Sequence, residues 1–288
     1  MNAPVAIGPA GLANLPERYR IVLCDVWGVV HDGLAVYPDA RSVLLRWRGQ
    51  GRIVLLLTNA PRPGEAVRAQ LDGLGLERDA YDAIVSSGEA GLAALRAEGR
   101  TSAGFIGTEA DRLVFEAAGL TLHPGGCGPV VICTGLVDGS RDPADHDPML
   151  RAMRECDARL LCFNPDRVVL RGAVAEPCAG AIADRYEAMG GTVEWFGKPY
   201  GPIYRRCLEL AEELAGRAVV ANEVVAVGDS IRTDLAGAAN AGIDFVFITH
   251  GIEGERIDSE GAEALIARFE REHGMRLPSP VAVAPRLR

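Results

Sequence analysis

Three aspartates occupy positions where a carboxylate has a chemical use. Asp25 closes the apolar run RIVLCD, Asp229 closes EVVAVGD, and Asp234 follows five positions later in GDSIRTDL. A carboxylate at the end of a buried strand is costly unless a positive group sits beside it. Three such acids drawn together repel one another, and a hard divalent cation relieves the repulsion; Mg2+ suits a site of a few protein oxygens completed by water. Thr58 and Asn59 close a second run, RIVLLLTN, and Lys198 follows the turn at Gly197 in GKPYGPIY. A hydroxyl, main-chain N–H groups and an ammonium aimed at one point make an anion clamp, suited to the spread charge of a phosphoryl group in transfer. Each residue also has an ordinary structural role: a turn-capping Asp25, a helix-capping Thr58 or a solvated Lys198. Only their convergence makes a site.

Convergence requires a scaffold, and the spacing of the apolar runs describes one. Runs at 20–25, 52–59, 82–87, 192–197, 223–229 and 244–251 read as buried strands, and helical patterns begin at Asp39, Gly64, Gly201 and Asp234. Short continuous apolar runs alternating with longer helical patterns mark a parallel sheet covered on both faces. The expected fold is α/β, with a doubly wound parallel sheet whose strand ends bring Asp25, Thr58, Gly197 and Asp229 to one rim. Residues 100–177 carry further strand-like runs, SAGFIG, PVVICTG, ARLLCFN and RVVLRG, which read as an inserted α/β domain. The division expected is a core of 1–86 and 187–288 around an insert of 87–186, with hinges near Gly88 and near Gly190 and Gly191. Both ends, rich in Pro, Gly and Ala, read as loosely attached.

Composition narrows the class. The chain has 288 residues, 48% of them apolar, and a formal charge of −9. That charge disfavours nucleic acid or an anionic membrane as partner, since clustered Lys and Arg hold such surfaces. No apolar run approaches the roughly 20 residues that span a bilayer, and no signal-peptide layout opens the chain, so a cytoplasmic protein is expected. The seven cysteines show no metal-ligand spacing and read as reduced, mostly buried residues. Assembly into a homo-oligomer is left open.

The four segments DVWGV (25–29), LLTN (56–59), GKP (197–199) and GDSIRTD (228–234) resemble, in order, the four motifs of the haloacid dehalogenase (HAD) superfamily. Asp25 to Thr58 spans 33 positions (58 − 25), whereas Thr58 to Lys198 spans 140 (198 − 58), so the insert lies between the second and third motifs. That placement, with CFNPD at 162–166 and EPCAGAIADRY at 176–186, resembles the class II, NagD-like subgroup with its C2-type cap. The resemblance implies a Mg2+-dependent phosphatase acting on a small phosphorylated metabolite such as a sugar phosphate or nucleotide. It implies Asp25 as nucleophile through an aspartyl-phosphate. It also implies Asp25, Asp229, Asp234 and the main-chain carbonyl of Trp27 around the cation, and Thr58, Asn59 and Lys198 on the phosphoryl oxygens.

One departure stands out. Phosphatases of this superfamily carry a second Asp two places after the nucleophile, which protonates the leaving oxygen and later activates water. Here the position is Trp27, whose indole N–H donates a hydrogen bond but exchanges no proton near neutral pH. Three accounts follow: a phosphohydrolase that is slow, restricted to good leaving groups, or served instead by His31 or Asp32, whose ordinary reading is a polar turn before Gly33; a dehalogenase, which the retained Asp229 and Asp234 disfavour; or a phospho-ligand binder without turnover.

Lesser features read as follows. Arg62 in NAPRP could touch substrate, and Arg167 and Arg171 could read an anionic tail, though arginines on a strand face commonly pack their stems. The acidic stretch DGSRDPADHDP reads as a solvated loop with Asp147 as helix N-cap, GGCG at 125–128 as a turn, and Trp195 as core.

Overall fold

The computed structural model describes residues 11–125 and 128–288; the two middle residues of the GGCG turn, 126 and 127, lie outside them. Along the chain, β1 (Ile21–Asp25), α1 (Pro38–Gly49), β2 (Ile53–Thr58), α2 (Gly64–Leu74) and β3 (Ala83–Ser86) come first. The insert follows with α3 (Ser87–Ala97), β4 (Ser102–Ile106), α4 (Glu109–Ala117), β5 (Thr121–Pro124), β6 (Val130–Cys133), α5 (Asp147–Glu155), β7 (Arg159–Cys162), β8 (Val168–Arg171), β9 (Val174–Pro177), α6 (Ala179–Ala188) and β10 (Thr192–Trp195). The chain ends with α7 (Gly201–Ala215), β11 (Val224–Gly228), α8 (Ala236–Ala241), β12 (Asp244–Ile248), α9 (Gly254–Glu260), α10 (Ala262–His273) and β13 (Ala282–Ala284).

Two compact units result. The core comprises residues 1–58, 71–85 and 198–288, and the cap comprises 59–70 and 86–197. The core sheet runs β13-β12-β11-β1-β2-β3, and the pairings from β13 through β2 are parallel. β1 and β11 are buried at every position because helices cover both faces, which is why they read as unbroken apolar runs. Ile21, Leu23, Leu55, Leu57, Ala226 and Phe245 pack on one face against Ile203, Tyr204 and Cys207 of α7 and against Leu265 of α10. No helix is long and apolar enough to cross a membrane among the described residues.

The cap has its own parallel sheet, ordered β10-β7-β6-β4-β5, with an apolar cluster on each face. α3 begins at a Ser86 side chain that accepts from the Glu89 amide, and α4 at Thr108, which accepts from the Asp111 amide.

Several expectations shift. The run 192–197, read as a core strand, is β10 and pairs with β7 of the cap, so the second crossing falls at Gly197 and Lys198, beyond Gly190 and Gly191. A four-residue strand carries no mark of which sheet it joins; the register Val193↔Leu160 does. Residues 59–70 likewise belong to the cap unit. RVVLRG forms β8, which pairs with β9 in a separate antiparallel hairpin. Asp147 is the first residue of α5 and not its cap, since its backbone is already helical (φ −53°, ψ −41°), and its carboxylate pairs with Arg185 at 2.7 Å through both oxygens. Trp195 is half-buried, its indole N–H donating to Glu187 and its ring lying under Arg167. The described parts of both ends are docked, with Leu12, Leu15 and Leu287 buried. Cys24, Cys133, Cys162, Cys178 and Cys207 are free and buried, as expected, while Cys156 is exposed.

Candidate active site

The carboxyl ends of β1, β2 and β11 meet at one place in the core unit. Asp25 is the last residue of β1 and pairs in register with Leu57, so Thr58 stands one step beyond it on the adjacent strand. Asp229 directly follows β11. A wide π-type turn, Ile231–Leu235, carries Asp234 back to the same strand end; the amides of Asp234 and Leu235 both donate to the Ser230 carbonyl at 3.1 Å. Asp234 Oδ2 in turn accepts from the Ser230 amide at 3.1 Å, which aims Oδ1 inward.

Lys198 closes the arrangement. Its Nζ donates to Asp25 Oδ1 at 2.5 Å and to Asp234 Oδ1 at 2.6 Å, with the lysine 3% exposed. Asp25, Asp229 and Asp234 each offer an oxygen within 4.8 Å of the other two, all buried. Three carboxylates against one ammonium leave an excess of negative charge in a space with little water. Burial pushes the Asp229 carboxyl well above its usual range, and the charges of Asp25 and Asp234 push it further. Burial likewise raises Asp25 to about 7, against the pull of Lys198 and with the Asp234 charge adding to the rise. Both shifts say that the ionised triad is short of positive charge, which a divalent cation with hard oxygen ligands would supply.

The surroundings of Asp229 are glycine-lined for a physical reason. A β-carbon at Gly28 or Gly251 would collide with Asp229 Oδ2, and Gly28 also needs φ +85°. The Ile252 amide donates to that same oxygen at 2.7 Å. The turn at 249–252 is therefore part of the site although sequence reading passed over it; the THG after β12, in the rim position of a parallel sheet, was the available signal.

The loop after β1 shows how Trp27, His31 and Asp32 are held. Trp27 is half-buried, packs its ring over Gly33 and meets His31 edge-on, ring centroids 5.0 Å apart. His31 is buried, and its Nδ1 accepts from the Gly33 amide at 2.9 Å. Asp32 Oδ1 accepts from the amides of Leu34 and Ala35 at 2.8 and 2.9 Å, and those two bonds, Ala35 first, hold its carboxyl below the usual range. Both residues are thus engaged in the polar turn, and Asp32 is a poor proton donor near neutral pH.

Other residues singled out by sequence lie in the cap unit. Asn59 donates through Nδ2 to Asp166 Oδ1 of the Asn-Pro-Asp element at 2.8 Å. Arg62 is paired with the buried Asp111 at 2.6 Å. Arg167 is spent on Asp184, through two bonds of 2.9 and 2.6 Å, and on the Pro165 carbonyl, and Arg171 pairs with Glu176. These arginines support the cap's own structure.

The comparisons agree with this geometry. The family description "haloacid dehalogenase-like hydrolase" matches residues 22–121, and a HAD-hydrolase-like description matches 195–268. A solved hydrolase of the haloacid dehalogenase-like family from Brucella suis 1330 is 33% identical, covers 95% of this chain and 97% of that one, and superposes with a TM-score of 0.82. Ribonucleotide monophosphatase NagD of Escherichia coli (strain K12) is 28% identical over 245 residues, 83% of this chain and 91% of its own. A possible sugar phosphatase from Cytophaga hutchinsonii, 18% identical over 96% of each chain, shares the fold with a TM-score of 0.77. With the motifs, the buried triad and the full-length match in accord, the chain belongs to the haloacid dehalogenase-like hydrolases, on their NagD-like branch.

Proposed function

We propose that this hydrolase is a Mg2+-dependent phosphatase of small phosphorylated metabolites, slow on the alkyl esters of sugar phosphates and nucleotides and better suited to leaving groups that depart without a proton. The observation that carries the reading is Lys198 Nζ bridging Asp25 and Asp234 next to Asp229. Asp25, Asp229 and Asp234 would hold the cation, with the Trp27 carbonyl as a further ligand by its place two residues after Asp25. The cation, when bound, neutralises the charge of the phosphoryl oxygens.

Asp25 attacks phosphorus in line, forming the aspartyl–phosphate bond as the bond to the leaving oxygen breaks. Lys198, held by two carboxylates, offsets the repulsion between Asp25 and the incoming anion and keeps the nucleophile oriented. The Thr58 hydroxyl, at the end of the neighbouring strand, binds a phosphoryl oxygen. Asn59 acts indirectly, anchoring the first residue beyond Thr58 to Asp166. The leaving oxygen departs as an anion, because Trp27 gives no proton and His31 and Asp32 are engaged in their turn. Water then attacks phosphorus and the bond from phosphorus to the Asp25 oxygen breaks, regenerating the Asp25 carboxylate; the protons of the water leave with the inorganic phosphate as H2PO4−.

A catalytically inert phospho-ligand binder is the second reading, favoured by Trp27 alone. Phosphate release across sugar phosphates, nucleotides, pyridoxal phosphate and p-nitrophenyl phosphate, in Mg2+ and in EDTA, separates the two. Turnover by the unaltered chain that Asp25→Asn abolishes supports the phosphatase. An inert chain that gains activity in Trp27→Asp is a disarmed enzyme, and inertness in both leaves the binder. The location proposed is the cytoplasm.

A further inference from the structure

The last eight residues read from sequence as a loose tail, yet they are tied to the acidic triad from two sides. β13 extends the sheet beside β12 in the register Val246↔Ala282, Phe247↔Val283 and Ile248↔Ala284. The ladder then runs past the end of β12: the Thr249 amide donates to Ala284 O and the His250 amide to Pro285 O, both at 2.9 Å. Those are the first residues of the turn whose Ile252 amide holds Asp229 Oδ2 at 2.7 Å and whose Gly251 leaves that oxygen the space a β-carbon would take.

Beyond Pro285 the tail is anchored again. The Arg286 guanidinium stacks on the Tyr37 ring, 5.1 Å from its centroid, and the Tyr37 amide donates to Val30 O in the loop that follows Asp25. Leu287 is 1% exposed. The Arg288 carbonyl accepts from the Leu12 amide at 2.7 Å, and the Leu12 carbonyl accepts from Trp47 Nε1 at 3.0 Å.

We propose that residues 281–288 are a positioning strap for the cation site. The strap fixes the 249–252 turn, the turn commits Asp229 Oδ2 to the Ile252 amide, and the carboxylate is thereby held with its other oxygen towards Asp25 and Asp234. Groups that orient a ligand from behind set metal affinity by about 10- to 100-fold. A strap serving stability alone would lower the melting temperature and leave that affinity untouched. The inference rests on the metal reading of the triad.

The test is calorimetric titration of Mg2+, and of Mn2+ as a tighter probe, at pH 8 and well below the melting temperature of each protein. The proteins are the full chain, the chain ending at Pro285, Arg286→Ala and Gly251→Ala. The expected result is binding by the full chain, about 10- to 100-fold weaker binding by the shortened chain, a smaller loss in Arg286→Ala, and the largest loss in Gly251→Ala, whose new methyl displaces Asp229. In hydrolysis assays the shortened chain needs more Mg2+ but recovers its turnover at saturation. Affinity in the shortened chain and in Arg286→Ala equal to that of the full chain, with only melting temperatures lowered, overturns the strap, whatever Gly251→Ala does. If the shortened chain does not fold, full affinity in Arg286→Ala overturns it. No uptake of either cation by the full chain overturns the metal reading itself, which is a distinct failure.

Discussion

Without a cation the triad should make the protein less stable as pH rises, contrary to the usual effect of carboxylates that gain partners on folding. Asp25 is raised from an ordinary value of 3.8 to about 7. Between those values the native chain holds one proton more than the unfolded chain at this position, so stability falls by about 1.4 kcal/mol per pH unit. From pH 5 to pH 7 the loss is about 3 kcal/mol, an order-of-magnitude figure, and Asp229, raised in the same direction, adds to it. At roughly 2–4 °C per kcal/mol, the melting temperature in EDTA should drop by about 10 °C between pH 5 and pH 8. Carboxylates held low by arginines, such as Glu77 and Asp147, stay ionised across this window and do not mask the effect. Excess Mg2+ should restore the loss, by about 2.7 kcal/mol at one hundred times its dissociation constant, and restore more at pH 8 than at pH 5, where protons compete for the ligands. The assay is thermal denaturation of the unaltered chain and Asp25→Asn across pH in EDTA and in Mg2+. A wild-type slope no steeper than that of Asp25→Asn, or a Mg2+ gain larger at pH 5, would refute the reasoning.

Lys198→Met should cost about 3–5 kcal/mol in EDTA, because Asp25 and Asp234 lose their shared ammonium in a buried site; urea unfolding reads the change, and Mg2+ should return part of it. Asp32→Ala should lower stability by about 1 kcal/mol through loss of two turn hydrogen bonds and leave the pH profile of kcat unchanged, since Asp32 moves no proton; a lost limb in that profile would reinstate it as the acid. Thr134→Val should be neutral or stabilising by about 1 kcal/mol, because the buried Thr134 hydroxyl has no partner among the described residues; a fall in melting temperature would expose a missed bond.

The cap shows where local reading loses its grip. Arg62, Arg167 and Asn59 carry groups that recognise phosphate, and their types suggested substrate contacts. Folding spends Arg62 on Asp111, Arg167 on Asp184 and the Asn59 amide on Asp166, partners 49, 17 and 107 positions away in sequence. Charge pairing across such separations has no periodicity to detect. Asp32 and His31 differ, since a two- or three-residue turn is local, and the polar turn before Gly33 was visible in the sequence as the alternative to catalysis.

By itself the sequence determined the layered α/β fold, the insert between Thr58 and Lys198, and the meeting of Asp25, Thr58 and Asp229 at one rim with Asp234 close behind. Apolar periodicity dictates a parallel sheet, and a parallel sheet brings every strand's carboxyl end to the same edge. Only the tertiary structure decided that β10 belongs to the cap, that Trp27 packs on Gly33, and that the final residues brace the turn holding Asp229. Each depends on a pairing between segments with no sequence mark of their own, where close packing and backbone hydrogen bonds choose the partner.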